Sequence, residues 1–110
     1  MQIINSTTGA VLATNARAAH TMFTRLRGLL GTRNLPESSG LLIEPCNSVH
    51  MLGMRYPILA VYLDPGGVVL RSMVLRPWRL GPLVLRAHAV LELPVSLTGM
   101  VARGERLERS

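Results

Sequence analysis

The apolar positions of this chain fall into blocks of two kinds. Ile58 to Asp64 and Gly67 to Leu75 are apolar at nearly every position, with Asp64-Pro65-Gly66-Gly67 between them. Proline presets φ and the glycines admit positive φ, so the pair reads as an antiparallel hairpin. Apolar residues of both parities on both arms predict a central hairpin covered on both faces. Gln2 to Asn5 and Ala10 to Thr14 flank Ser6-Thr7-Thr8-Gly9 and read as a second hairpin. Leu41 to Glu44 is a short strand ended by Pro45, which cannot donate to a ladder. Ser48 to Met54 suits an extended piece, and Ala87 to Leu93 is the last clear strand. Pro94 to Val101 suits a short helical turn, and Gly104 to Leu107 can close the sheet.

The second kind of block has a helical period. Over Ala18 to Leu30, the residues Met22, Leu26, Leu29 and Leu30 recur at spacings of three and four, so they share one helix face. Gly31 is placed to stop that helix. The sum is an α+β class: a sheet-dominated antiparallel β domain with one principal helix packed on it. With no repeats and no linker, residues 1–110 read as a single domain.

Charge changes this picture in one respect. The formal net charge is +6, which raises the question of nucleic acid. All twelve basic residues are arginines, and they are scattered rather than gathered into an arm or stripe. Only four aromatic residues are available to stack on bases. These features argue against a nucleic-acid partner. No apolar run approaches the ~20 residues of a membrane span, so no membrane partner is expected. The N-terminus lacks a basic region followed by an apolar core, which makes the cytoplasm the default location. The lone Cys46 can form no internal disulfide, in keeping with a reducing compartment.

Several ordered motifs then stand out. They are Arg25-Leu26-Arg27-Gly28-Leu29-Leu30-Gly31, Gly40-Leu41-Leu42-Ile43, Cys46-Asn47-Ser48-Val49-His50 and Gly53-Met54-Arg55-Tyr56-Pro57-Ile58. Leu75-Arg76-Pro77-Trp78-Arg79, Val90-Leu91-Glu92-Leu93-Pro94 and Gly104-Glu105 follow them. This series, over about eighty residues, resembles the domain of unknown function 192 family, small bacterial and archaeal proteins with no established activity. The resemblance implies a compact, barrel-like sheet with a helix packed against it. The chain departs from that pattern at three places. Leu59 stands where the family usually carries an acidic residue, Met51 where threonine is common, and Val95-Ser96 where Ala-Gly follows the proline. If the family's site uses that carboxylate, this chain is a diverged or inactive member.

Candidate chemistry concentrates between Pro45 and Asp64. Cys46 and His50 are a candidate catalytic nucleophile and base, since a nearby imidazolium or arginine lowers a thiol's pKa. Such a pair needs a third residue to orient the imidazole, and only Asn47 or Glu92 is at hand once Leu59 replaces the acid. The competing reading is a cysteine that packs as a small hydrophobe. Cys46, His50, Met51 and Met54 are soft donors that suit Cu(I), but methionine at such spacing is more often core filler. A structural zinc site needs four ligands, and His20 and His88 are remote in sequence. Arg55, Arg76 and Arg79 around Trp78, with Asn47 and Ser48 as hydrogen-bonders, suit a carboxylate or phosphate. The competing reading pairs these arginines with Glu44, Glu92 or Glu105. Glu92, amid apolar neighbours, needs a partner if buried, and Arg55 or Arg76 is the obvious one. The balance favours a non-catalytic binding or accessory module for a small anionic ligand or a protein partner. A Cys/His hydrolase or transferase and a Cu(I) binder are the alternatives. No cofactor is implied, and the oligomeric state is not written in the sequence.

Overall fold

The structure, a computed structural model, describes residues 1–19, 35–49, 51 and 54–110. These form two open sheets. The smaller has the order β2 (Ala10–Ala13), β1 (Ile3–Asn5), β8 (Leu107–Arg109), all antiparallel. The larger runs β3 (Asn15–Ala19), β4 (Ser39–Ile43), β7 (Ala89–Leu93), β5 (Ile58–Leu63), β6 (Val69–Leu75). Its pairs are antiparallel except β3–β4, which is parallel. A bridge between Val68 and Arg106 links the two sheets at one end.

The expected α+β class is corrected here. Among the described residues the only helical element is a 3-10 turn at Val95–Leu97. Of the predicted helix, Ala18 and Ala19 belong to β3, and residues 20–30 lie outside the described residues, as does His20. Nor is the sheet a barrel. A barrel buries one parity of each strand in a single interior. Here β5 and β7 are buried at every position, because each face of the larger sheet carries its own core.

One core lies between the sheets. Leu59, Val61 and Leu63 of β5 and Leu91 and Leu93 of β7 meet Ile3, Leu12 and Leu107 of the smaller sheet there. The second lies on the opposite face. Ile58, Ala60 and Tyr62 of β5 and Val90 of β7 are roofed by Val49, Met51, Met54 and Tyr56. The alternation of β5 thus feeds both cores, as a near-continuous apolar run requires.

The hairpin 58–75 forms in the expected place, with Asp64 Oδ1 accepting from the amides of Gly66 and Val68. Gly67 has φ +86, and a Cβ there would stand 2.5 Å from the Leu107 carbonyl oxygen. Only β5 is covered on both faces, however. The second arm, β6, is the outer strand, and its Arg71 and Val74 are exposed. The hairpin β1–β2, the strands β4 and β7 and the turn after Pro94 also form where the sequence put them.

Candidate functional site

The motif stretch after Pro45 folds as a cover over the second core, laid against residues 78–88. Backbone bonds stitch the two segments. Cys46 N–H donates to the His88 carbonyl at 2.8 Å, Val84 N–H to Asn47 at 2.9 Å, and Gly81 N–H to Val49 at 2.8 Å. Met51 N–H donates to Arg79 and Trp78 N–H to Met51, both at 2.8 Å. These five peptide amides are therefore satisfied across the seam, as a buried backbone demands. Of the expected extended piece, Val49 and Met51 lie on this seam rather than in a sheet strand, and residues 50, 52 and 53 lie outside the described residues.

Beneath the seam stands Tyr62, fully buried, its hydroxyl donating to the Pro82 carbonyl at 2.9 Å. Burial pushes the phenol up to about 12, with Cys46, ionised at the high pH where the phenol titrates, as a smaller cause. Gly81 lies directly over it: a Cβ there would meet the Tyr62 hydroxyl at 2.7 Å and the Val49 carbonyl oxygen at 2.9 Å.

Cys46 is half-buried at the edge of the second core, and its thiol donates to the Ser48 carbonyl at 3.0 Å. Cys46 and Asn47 line a shallow hollow of about 230 Å³ with Pro45, Ala87 and His88. Ser48 Oγ reaches the Gly81 carbonyl at 3.5 Å. His50 lies outside the described residues. Met51 and Met54 are core residues, 0% and 2% exposed, so the thioethers pack rather than face a ligand. Among the described residues no group of three His, Cys, Asp or Glu side chains converges on a metal-sized space.

The arginines lie elsewhere. Arg76 edges a second hollow of about 390 Å³, walled by Pro57, Val74, Pro77 and Val95. Arg55, Arg79 and Trp78 are exposed, the indole at 67% and with φ 67. The ion pairs suggested by the sequence do not form. Glu44 pairs with Arg109 and sits 3.7 Å from His88 Nε2, while Glu105 accepts from Asn5 and from the Ala102 amide. Glu92 is fully buried on β7, cross-strand from Leu41 and Ala60, and among the described residues no ion pair joins it to Arg55 or Arg76. The candidate residues thus occupy two neighbourhoods, Cys46 and Asn47 in one hollow and Arg76 beside another, with Trp78 and Arg79 on the exposed turn of the seam.

Sequence reasoning did not assign Leu80, Leu83 and Leu85, which are 73%, 61% and 79% exposed on the same segment as Trp78. It also missed His88, whose carbonyl holds Cys46 and whose ring faces Glu44. The prolines and glycine of Arg76-Pro77-Trp78-Arg79-Leu80-Gly81-Pro82 do mark an irregular connector, and the segment forms as one. Nothing local marks the leucines as solvent-facing, because apolar letters default to core.

Comparison with known proteins agrees with this architecture. The model of the domain of unknown function 192 family, described as "Uncharacterized ACR", matches residues 3–108. A UPF0127 protein of Thermococcus sibiricus is 32% identical over 99 residues, 86% of this chain and 64% of its own length. This chain therefore spans a little under two thirds of that relative. A crystal structure of a protein of unknown function from Novosphingobium aromaticivorans superposes with a TM-score of 0.78 at 18% identity, covering 99% of this chain and 84% of the other. A Sinorhizobium meliloti protein, described as a candidate transcription regulator, gives 0.67 at 17% identity, over 97% and 89%. At such identities the two structures show the fold alone.

Proposed function

Because the chain belongs to the domain of unknown function 192 family, which is uncharacterised and supplies no activity to inherit, we propose a function from the site: a non-catalytic binding module for an anionic partner. The partner is a small anionic ligand or a protein presenting carboxylates. One observation carries the reading. Segment 76–86 holds Arg76, Arg79 and Trp78 outward while its backbone is fixed to the loop beneath. Guanidinium forks match carboxylate and phosphate geometry, and a preformed surface spends little entropy on binding. Among the described residues no carboxylate pairs with Arg76 or Arg79, so both forks face solvent. The thiol of Cys46, engaged as a donor to Ser48, supports binding over nucleophilic chemistry.

The test uses Trp78, the sole tryptophan, as its own reporter. Citrate and inorganic phosphate are titrated against its emission, in the full chain and in Arg76→Ala and Arg79→Ala. Saturable changes that weaken in both variants support the reading. Responses equal in wild type and variants count against it. In parallel, alkylation of Cys46 is expected to be slow below neutral pH; fast alkylation there would restore the enzyme reading.

A further inference from the structure

Four large apolar side chains protrude from eight consecutive residues: Trp78, Leu80, Leu83 and Leu85, each 61–79% exposed. A soluble surface shows such residues singly, and a cluster marks an interaction site. Arg76, Arg79 and Arg86 are interleaved with them and are themselves exposed. From Pro65 to Leu91 the chain has no acidic residue, so every formal charge on this stretch is positive. Residues 76–86 do not present a regular strand edge, since the amides of Trp78, Gly81 and Val84 are directed into the seam. Addition of a partner's strand there has no ladder to join.

We propose that this segment seats the protein on an anionic bilayer surface, with Trp78, Leu80, Leu83 and Leu85 dipping among the acyl chains and the arginines held at the headgroups. This rests on reading segment 76–86 as the binding face, and it puts a bilayer in place of the soluble partners named above. It departs from the expectation of no membrane, which was drawn from the lack of a spanning run alone. Two features favour lipid over an acidic protein. Leucine is under-represented among the anchors of protein interfaces, where tryptophan and arginine dominate. Tryptophan and leucine mixed with arginine is instead the composition of surfaces that lie in the membrane interface, where the indole sits at headgroup depth and long cationic side chains reach back to water. Separately protruding side chains also need either a matching set of pockets or a fluid medium, and a bilayer supplies the second without complementarity. The positive segment matches the negative surface potential of phosphatidylglycerol or phosphatidylserine leaflets.

The full chain is mixed with vesicles of phosphatidylcholine alone and of phosphatidylcholine with phosphatidylglycerol. Binding is read by co-sedimentation and by Trp78 emission. Expected are sedimentation and a blue shift with the anionic vesicles, both reduced by salt. Arg76→Gln, Arg79→Gln and Arg86→Gln each weaken partitioning about fivefold. Leu83→Asp and Leu85→Asp, at positions too exposed to matter for folding, weaken it by about tenfold or more. If the arginine variants lose binding and the leucine variants keep it, the contact is adsorption by charge and the insertion is wrong. If vesicles leave the emission unchanged while citrate or a polyglutamate peptide shifts it, the lipid assignment fails and the binding face stands. If none of these anions moves it, both fail.

Discussion

At the residue scale, Tyr62 carries the clearest electrostatic consequence. Its phenol is neutral and buried, and it ionises in the folded state only near 12, against about 10 in the unfolded chain. The folded state therefore holds its proton longer. The contribution is complete below pH ~10 and is lost as pH rises toward 12, at up to about 1.4 kcal/mol per pH unit. Denaturation series across that window should show the fall in wild type and a flatter profile in Tyr62→Phe. The same variant should lose about 1 kcal/mol at neutral pH, because the Pro82 carbonyl is left without its donor. Gly81→Ala should cost on the order of 1–3 kcal/mol, since its Cβ would meet the Tyr62 hydroxyl and the Val49 backbone together. Trp78 behaves in the opposite way. A bulky residue at φ 67 is strained, and its side chain is mostly in water. Trp78→Gly should leave the melting temperature unchanged or raise it while abolishing the binding described above. A lower melting temperature would show that the indole packs usefully after all.

At the scale of elements, the contrast between β5 and β6 is the informative one. β5 is buried at all six positions and hydrogen-bonded on both sides, whereas β6 is the outer strand of the same hairpin. Amide exchange should be slowest in β5 and β7 and faster in β6 at positions facing away from β5, with mass spectrometry or NMR as the check. The hairpin itself was legible, because Asp64-Pro65-Gly66-Gly67 is strong turn chemistry between two apolar arms. The edge position of β6 was weakly legible in Arg71 and Ser72, which break its apolar run. β3 was not. Asn15-Ala16-Arg17-Ala18-Ala19 has no β-branched or aromatic residue, buries two alanines, and is held by parallel pairing to β4 that no local pattern announces. The site was half legible for the same reason. Rare residues marked the loop at Cys46, Asn47 and Ser48, but the outward leucines at 80, 83 and 85 depend on how the seam lies across the core.

At the scale of the molecule, two cores share one sheet. Leu91 points into the inter-sheet core and Ile58 into the covered one, and neither is exposed. Truncating either to alanine should cost about 2–5 kcal/mol. Because both cores hang on the same central strands, the two variants should shift the urea midpoint with an unchanged slope, as one cooperative unit does. A biphasic curve for Ile58→Ala alone would show the cover melting before the sheets.

The pairing of β1 with β8 has a consequence in time. Ile3 lies opposite Arg109, and Leu107 of the same distant strand fills the inter-sheet core. During synthesis β1 is made well before β8, and it waits for a neighbour about a hundred residues further on. Until then the inter-sheet face of β5 and β7 lacks the Leu107 side of its roof, and Ile3 has β2 alone beside it. Long-range closure of this kind is slow, and it leaves apolar surface open to other nascent chains meanwhile. A chain truncated after Gly104 should therefore be protease-sensitive, and restoring residues 105–110 should restore resistance.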